Sequence, residues 1–255
     1  MSKTPVQVTR DGHILLVTIN RPEVRNAIDR ATAEAIAAAM DELDADPHLR
    51  VGVLTGAGAT FSAGMDLKAF ARGESTVTES RGFAGLVARP PVKPLIAAVE
   101  GWALGGGFEI VLACDLVVAA EDATFGLPEV KRGLTPAAGG LFRLPNRIPY
   151  HQAMRLVLTG EPLPARRAAE LGLVNELTPP GQALAAARQL AATIAANAPL
   201  AVAAAKRTVV ESADWPLDEC FARQAAISGP VHRSEDAKEG ARAFLEKRAP
   251  VWTGR

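Results

Sequence analysis

The stretch Leu95-Ile-Ala-Ala-Val-Glu-Gly-Trp-Ala-Leu-Gly-Gly-Gly-Phe-Glu-Ile-Val-Leu-Ala113 decides how this chain is read. Leu95–Val99 is a short, wholly apolar run opened by Pro94, the pattern of a strand buried on both faces. Gly105-Gly106-Gly107 interrupts the chain, and Phe108–Ala113 continues with helical character. The first amides of a helix have no partner within it and point back along the axis. Upstream the same order recurs: the apolar run Val51–Thr55, the loop Gly56–Gly64, then Met65-Asp-Leu-Lys68. Glycine at such junctions permits positive φ and close approach of a second backbone or a ligand. Two junctions brought together supply two N–H donors for an oxygen that turns negative, which is an oxyanion hole. Taken singly, each glycine cluster is explained equally well as an ordinary tight turn.

Outward from these junctions, Val6–Arg10 and Ile14–Asn20 read as a hairpin turning at Asp11-Gly12. Asp29 is placed to cap an alanine-rich helix running to about Leu43. Gly73–Arg81 is polar and aperiodic, which predicts a mobile surface loop. Leu116–Ala120 and Thr124–Gly126 are further strand candidates, so the first part of the chain alternates strands with helices, an α/β arrangement. After Pro149 helices dominate: Tyr150–Leu158, Gln182–Ala196, Leu200–Glu211, Pro216–Ser228 and Ser234–Lys247. The expected division is an α/β core over residues 1–197 and a helical C-terminal region over 198–255.

The 255 residues suffice for one large domain with a substantial core. Lys plus Arg equals Asp plus Glu at 28 each, so no overall field draws the chain to nucleic acid or an anionic membrane. The start, Met1–Pro5, leads into strand-like sequence without an apolar signal segment, and no apolar run approaches the ~20 residues of a membrane span. Two cysteines, Cys114 and Cys220, cannot build a disulfide framework, and a cytoplasmic location is expected. The four histidines are scattered without metal-ligand spacing, so no metal site is expected. Gly56-Ala-Gly-Ala-Thr-Phe61 lacks the third glycine of a dinucleotide loop, and no G-x-S-x-G elbow occurs.

Two carboxylates stand out. Glu109 lies two residues past Gly107 among apolar neighbours, where a charge is costly unless it is paired or functional. A helix N-terminus that favours acids is the competing account. Glu129 follows Pro128, and a solvated turn acid paired with Lys131 or Arg132 explains it as well. Together, the pair could divide proton transfers around one substrate.

Phe61-Ser-Ala-Gly-Met-Asp-Leu-Lys68 and Ala98-Val-Glu-Gly-Trp-Ala-Leu-Gly-Gly-Gly-Phe-Glu109 resemble the two signatures of the enoyl-CoA hydratase/isomerase (crotonase) superfamily. Arg21-Pro22 with Asn26-Ala27, Phe125–Glu129, Pro136–Leu144 and Phe244–Arg248 fit the same family in order. The resemblance implies a spiral of ββα units with a helical C-terminal region that trimerises, often as a dimer of trimers. It implies that the N–H groups of Met65 and Gly106 hold a thioester oxygen, and that Glu109 and Glu129 handle water and the α-carbon proton. Ala63, Asp66, Leu67 and Lys68 match coenzyme A contacts, and Phe244 and Lys247 match a helix that reaches the CoA of a neighbouring subunit. CoA is then part of the substrate, and no separate cofactor is implied. Glu100 and Trp102 depart from the asparagine and tyrosine common in the family, which puts pocket shape in question. The implied activity is syn hydration of a trans-2-enoyl-CoA. The same-fold alternatives are carnitinyl-CoA dehydratase, suggested by Met65–Glu74 and the tail, or double-bond isomerase. An RNA-binding or scaffold member finds little support in neutral charge and 5% aromatic content.

Overall fold

The computed structural model describes residues 4–255, so Met1–Lys3 of the expected unsignalled start lie outside it. β1 (Val6–Asp11) and β2 (Ile14–Ile19) form the expected hairpin, with Asp11 opposite Ile14. The side chain of Asp29 accepts from the Thr32 N–H at 2.9 Å and starts α1 (Arg30–Ala45), which buries Ile36, Met40 and Leu43 along one face. β3 (Val51–Gly56) precedes α2 (Leu67–Ala71). Next come β4 (Val77–Thr78), β5 (Gly82–Phe83), β6 (Leu95–Val99), β7 (Trp102–Leu104) and α3 (Gly106–Ala113). β8 (Leu116–Ala120), β9 (Thr124–Gly126), α4 (Gly140–Arg143) and α5 (Tyr150–Thr159) follow. β10 (Leu163–Pro164), α6 (Ala165–Glu170) and β11 (Glu176–Thr178) precede the long helices. Those are α7 (Ala183–Ala195), α8 (Pro199–Glu211), α9 (Cys220–His232) and α10 (Glu235–Glu246).

The main sheet runs β1-β2-β3-β6-β8-β11, antiparallel only at the first hairpin. A second, smaller sheet is ordered β10-β9-β7. Parallel bridges Ser62–Ala103 and Ile28–Met65 extend its column beyond β7. Each turn of chain therefore lays one strand in the main sheet, rounds a corner, adds a segment to the second column and leaves through a helix. That is the ββα spiral of the crotonase fold. Gly101 makes one corner with φ +55°, and a Cβ there would overlap the Ala59 carbonyl oxygen.

α7 closes the outer face of the main sheet with a stripe of one small residue per turn. Ala183, Ala187, Ala191 and Ala195 lie in a core with Val53, Ile96 and Val118. Glu100 accepts from the N–H groups of Gly181 and Ala183, both at 2.9 Å, so this departure from the family pattern caps α7 and does not shape the pocket. Farther along, Lys206 ties α8 to the spiral by donating to the Pro91 and Lys93 carbonyls and pairing with Asp115 at 2.6 Å. No helix among the described residues is long and apolar enough to cross a membrane.

One expectation is overturned. Gly73–Arg81 is not a featureless loop: β4 pairs with β5, and Arg81 is 2% exposed. Its guanidinium is held by Asp41 at 2.8 Å and Asp44 at 3.1 Å, both on α1. These partners are distant in sequence, so no local periodicity announces them. β7, β10, β11 and α6 are also absent from the sequence reading, whereas α2 is the helix expected after the Gly56–Gly64 loop. The absent elements are two to six residues long, too short to show a period.

Candidate active site

The first glycine junction is built by side chains that hold backbone. Asn26, fully buried, accepts from the Arg21 N–H and donates to the carbonyls of Ala57 and Thr60. Arg21 donates to the Ala27 carbonyl and pairs with Asp29 and Asp66. Gly64 sits at φ +86°, and a Cβ on it would lie 2.8 Å from the Gly106 nitrogen and 2.8 Å from the Leu104 oxygen. The two junctions therefore touch, stitched by Ser62 N–H to Trp102 O at 3.1 Å and Leu104 N–H to Ser62 O at 3.0 Å.

Met65 follows immediately, flanked by bonds from Ile28 N–H to Gly64 O and from Asp66 N–H to Ile28 O. The N–H groups of Met65 and Gly106 themselves meet no acceptor among the described residues. Both residues line one cavity of about 730 Å³. Ala63, Asp66, Leu67, Lys68 and Glu129 line it too, as does Trp102. Asp66 caps α2 through the Lys68 and Ala69 N–H groups. Burial pushes its carboxyl up, but those N–H groups and Arg21 outweigh it and leave it below the usual range.

Glu129 opens a short 3-10 turn, Glu129–Arg132, after Pro128. One of its oxygens, Oε1, would stand 3.1 Å from a Cβ on Gly105. Its Oε2 is buried and has no hydrogen-bond partner among the described residues. Burial is the largest influence and raises its pKa; the charge of Glu109 adds to it, against its own backbone N–H and Arg132.

Glu109 is 3% exposed, in the first turn of α3. Its Oε1 accepts from the Ala138 N–H at 2.7 Å and the Gly140 N–H at 2.9 Å. Burial raises this pKa as well, partly offset by those two N–H groups and Arg143. Glu109 is not itself among the residues lining the cavity; it is linked to Glu129 by the charge that Glu129 feels from it. Phe83 stands over Gly106, where a Cβ would come within 2.5 Å of the ring.

Six of the implied contacts thus share one cavity: Ala63, Met65, Asp66, Leu67, Lys68 and Gly106, with Glu129 beside them. Phe244 and Lys247 lie at the end of α10, exposed and outside that cavity. Unassigned by sequence were the Ala138 and Gly140 amides that hold Glu109, and the packing of Phe83 against Gly106. The signal for the first was present in the glycines of Pro136–Leu144; nothing local marks Phe83.

A family model described as enoyl-CoA hydratase/isomerase matches residues 9–255. The chain belongs to this family. Among curated relatives, "Enoyl-CoA hydratase EchA19" of Mycobacterium tuberculosis is 46% identical, covering 97% of this chain and 96% of that one. "Carnitinyl-CoA dehydratase" of Salmonella typhi is 43% identical over 98% of both chains. Among solved structures, enoyl-CoA hydratase EchA1 from Mycobacterium marinum superposes with a TM-score of 0.98 at 59% identity, covering 99% of this chain and 100% of that one. Carnitinyl-CoA hydratase from Mycobacterium avium gives 0.81 at 47% identity, with all of both chains covered.

Proposed function

We propose that this enzyme adds water reversibly to a trans-2-enoyl-CoA, giving a 3-hydroxyacyl-CoA. The observation that carries this reading is the pairing of two unused N–H donors with a buried, unpartnered carboxylate oxygen in one cavity. A carboxylate takes a proton from water as the water oxygen bonds to C3. The π electrons shift toward the thioester, whose oxygen is held as an enolate by the Met65 and Gly106 N–H groups. The second carboxyl group gives a proton to C2, so one water is added and no charge remains. Losing one such donor typically costs about 3–4 kcal/mol in the transition state.

Burial raises both carboxyl groups, and the charge of Glu109 raises Glu129 further, which suits a pair that shares one proton. Delivery of oxygen and hydrogen from one glutamate pair on one side of the substrate gives syn addition. Ala63, Asp66, Leu67 and Lys68 contact the CoA portion. Phe244 and Lys247 serve the CoA of a neighbouring subunit in a homotrimer or dimer of trimers. CoA arrives with the substrate, and no further cofactor takes part.

An unbranched short- or medium-chain acyl group is favoured over a trimethylammonium one. The cavity's Asp66 is already engaged by Arg21, and Glu129 is required for chemistry. Mass spectrometry of products from a chain-length series, including crotonobetainyl-CoA and a 3-enoyl-CoA, tests this assignment. The expected result is a gain of one water on unbranched 2-enoyl-CoA. Conversion of the 3-enoyl-CoA without mass change, and none of the 2-enoyl series, replaces hydration by isomerisation.

A further inference from the structure

The groove holding Glu109 depends on a residue that the proposed chemistry does not use. Arg143, on α4, is half-buried, and no carboxylate forms an ion pair with it among the described residues. Its Nη2 donates to the Val87 carbonyl at 2.6 Å, and its Nη1 reaches the Ala138 carbonyl at 3.4 Å. Gly139, between the two residues whose N–H groups hold Glu109, has φ +99°, and a Cβ there would overlap the Arg143 guanidinium. The Ala138–Gly140 backbone thus lies directly on this side chain. The guanidinium also stacks 5.1 Å from the Phe142 ring centroid.

A guanidinium withdrawn from water calls for compensating charge and for acceptors at its N–H groups. Carbonyls supply the acceptors here. The charge is supplied at longer range, and the charged and titratable groups facing Arg143 are few. Arg147 on the following turn repels it, while Glu109 and the Cys114 thiol of α3 favour its charge. Burial pushes that thiol upward, so Cys114 is neutral at ordinary pH, leaving Glu109 as the anion. From the side of Glu109 the facing charge is Arg143, while Glu129 in turn feels Glu109.

We propose that Arg143 is a positioning residue for Glu109: it fixes the Ala138–Gly140 backbone whose N–H groups grip the carboxylate, and it is the cation that faces that carboxylate from behind this backbone. The inference rests on the hydratase reading for its kinetic arm. Fixing Oε1 with two amides leaves Oε2 as the working oxygen, and a carboxylate that drifts by ~1 Å can lose on the order of a hundredfold in rate.

The test compares Arg143→Met and Arg143→Lys with wild type, by hydration kinetics across pH and by infrared titration of the Glu109 carboxyl band. That band is assigned by its loss in Glu109→Gln. Arg143→Met is expected to lower kcat by roughly 10- to 100-fold while KM stays within about threefold. Its acid limb and the Glu109 band should both move to higher pH, because a stabilising cation is gone. Arg143→Lys should return the limb and the band towards wild type and recover only part of kcat, since it restores charge but not the fork. A wild-type kcat and limb in Arg143→Met overturns the proposal. So does a loss of kcat with an unmoved Glu109 band that lysine does not improve, the mark of a merely structural role. Should Arg143→Met fail to fold, Arg143→Gln, which removes the charge but keeps a polar donor, takes its place: a moved limb and band with lowered kcat supports the proposal, and an unmoved limb and band contradicts it. If the wild-type enzyme hydrates nothing, the hydratase reading falls, while the band titration still answers for Arg143.

Discussion

Helix α3 and the helix pair α8–α9 belong to the same chain but are held by different means. α3 buries every residue from Gly107 to Ala113, whereas α8 and α9, 13 residues each, bury none. α3 is enclosed by the spiral's own core, so the Gly106 amide and Glu109 keep fixed places. α9 instead leaves Phe221 86% exposed, and the adjoining Leu217 is 88% exposed. Isolated helices of this length are marginal, and large exposed apolar side chains mark association surfaces. The difference teaches that Gly106 and Glu109 are held in place within one chain, while α8 and α9 leave large apolar side chains uncovered by it. A homotrimer, proposed above, is the arrangement that supplies a partner for them.

The largest expected effects fall inside the spiral. Glu109→Gln and Glu129→Gln should each cut kcat by orders of magnitude, about a thousandfold or more, with unchanged circular dichroism. A near-normal rate in either would remove that residue from the mechanism. Gly64→Ala should come next, at roughly a hundredfold, because its Cβ would press on the Gly106 nitrogen and split the paired donors. Steady-state kinetics on the folded variant, with its lowered melting temperature measured alongside, would check it.

Leu217→Asp with Phe221→Asp should spare the spiral and break the assembly. Light scattering should find wild type near three times the 26.7 kDa chain and the variant near one. An unchanged mass would mean that another face holds the subunits together. Smaller still, Lys247→Gln should raise KM a few-fold and leave kcat alone.

The carboxyl pair also carries a pH signature. Glu129 has a folded pKa raised above its unfolded value, so its ionised form weakens folding. Below the unfolded pKa both states are protonated and wild type matches Glu129→Gln. As pH rises past it, the variant should melt progressively higher than wild type. Equal melting temperatures at neutral pH would show that the buried oxygen carries no such penalty.

Much of this architecture is legible in the sequence because it is local. The run Leu95–Val99, the hairpin at Asp11-Gly12, the Asp29 cap and the glycine junctions each declare themselves within a dozen residues. Glu109 is conspicuous because an acid among apolar neighbours needs a reason. What could not be read is what depends on distant partners. Arg81 looks like loop polarity until Asp41 and Asp44 come beside it. Glu100 looks like a pocket variation until the α7 N-terminus arrives over it. The grip of Ala138 and Gly140 on Glu109 spans about thirty residues, so the glycines of Pro136–Leu144 mark a turn without saying which side chain it holds.

The central claim is hydration by the preorganised carboxylate pair, and the most direct measurement is the absorbance of crotonyl-CoA. With wild-type enzyme the conjugated-thioester band should fall to an equilibrium level, and Glu109→Gln and Glu129→Gln should each slow that fall by about a thousandfold or more. An undiminished band with wild-type enzyme that still binds CoA would contradict the account.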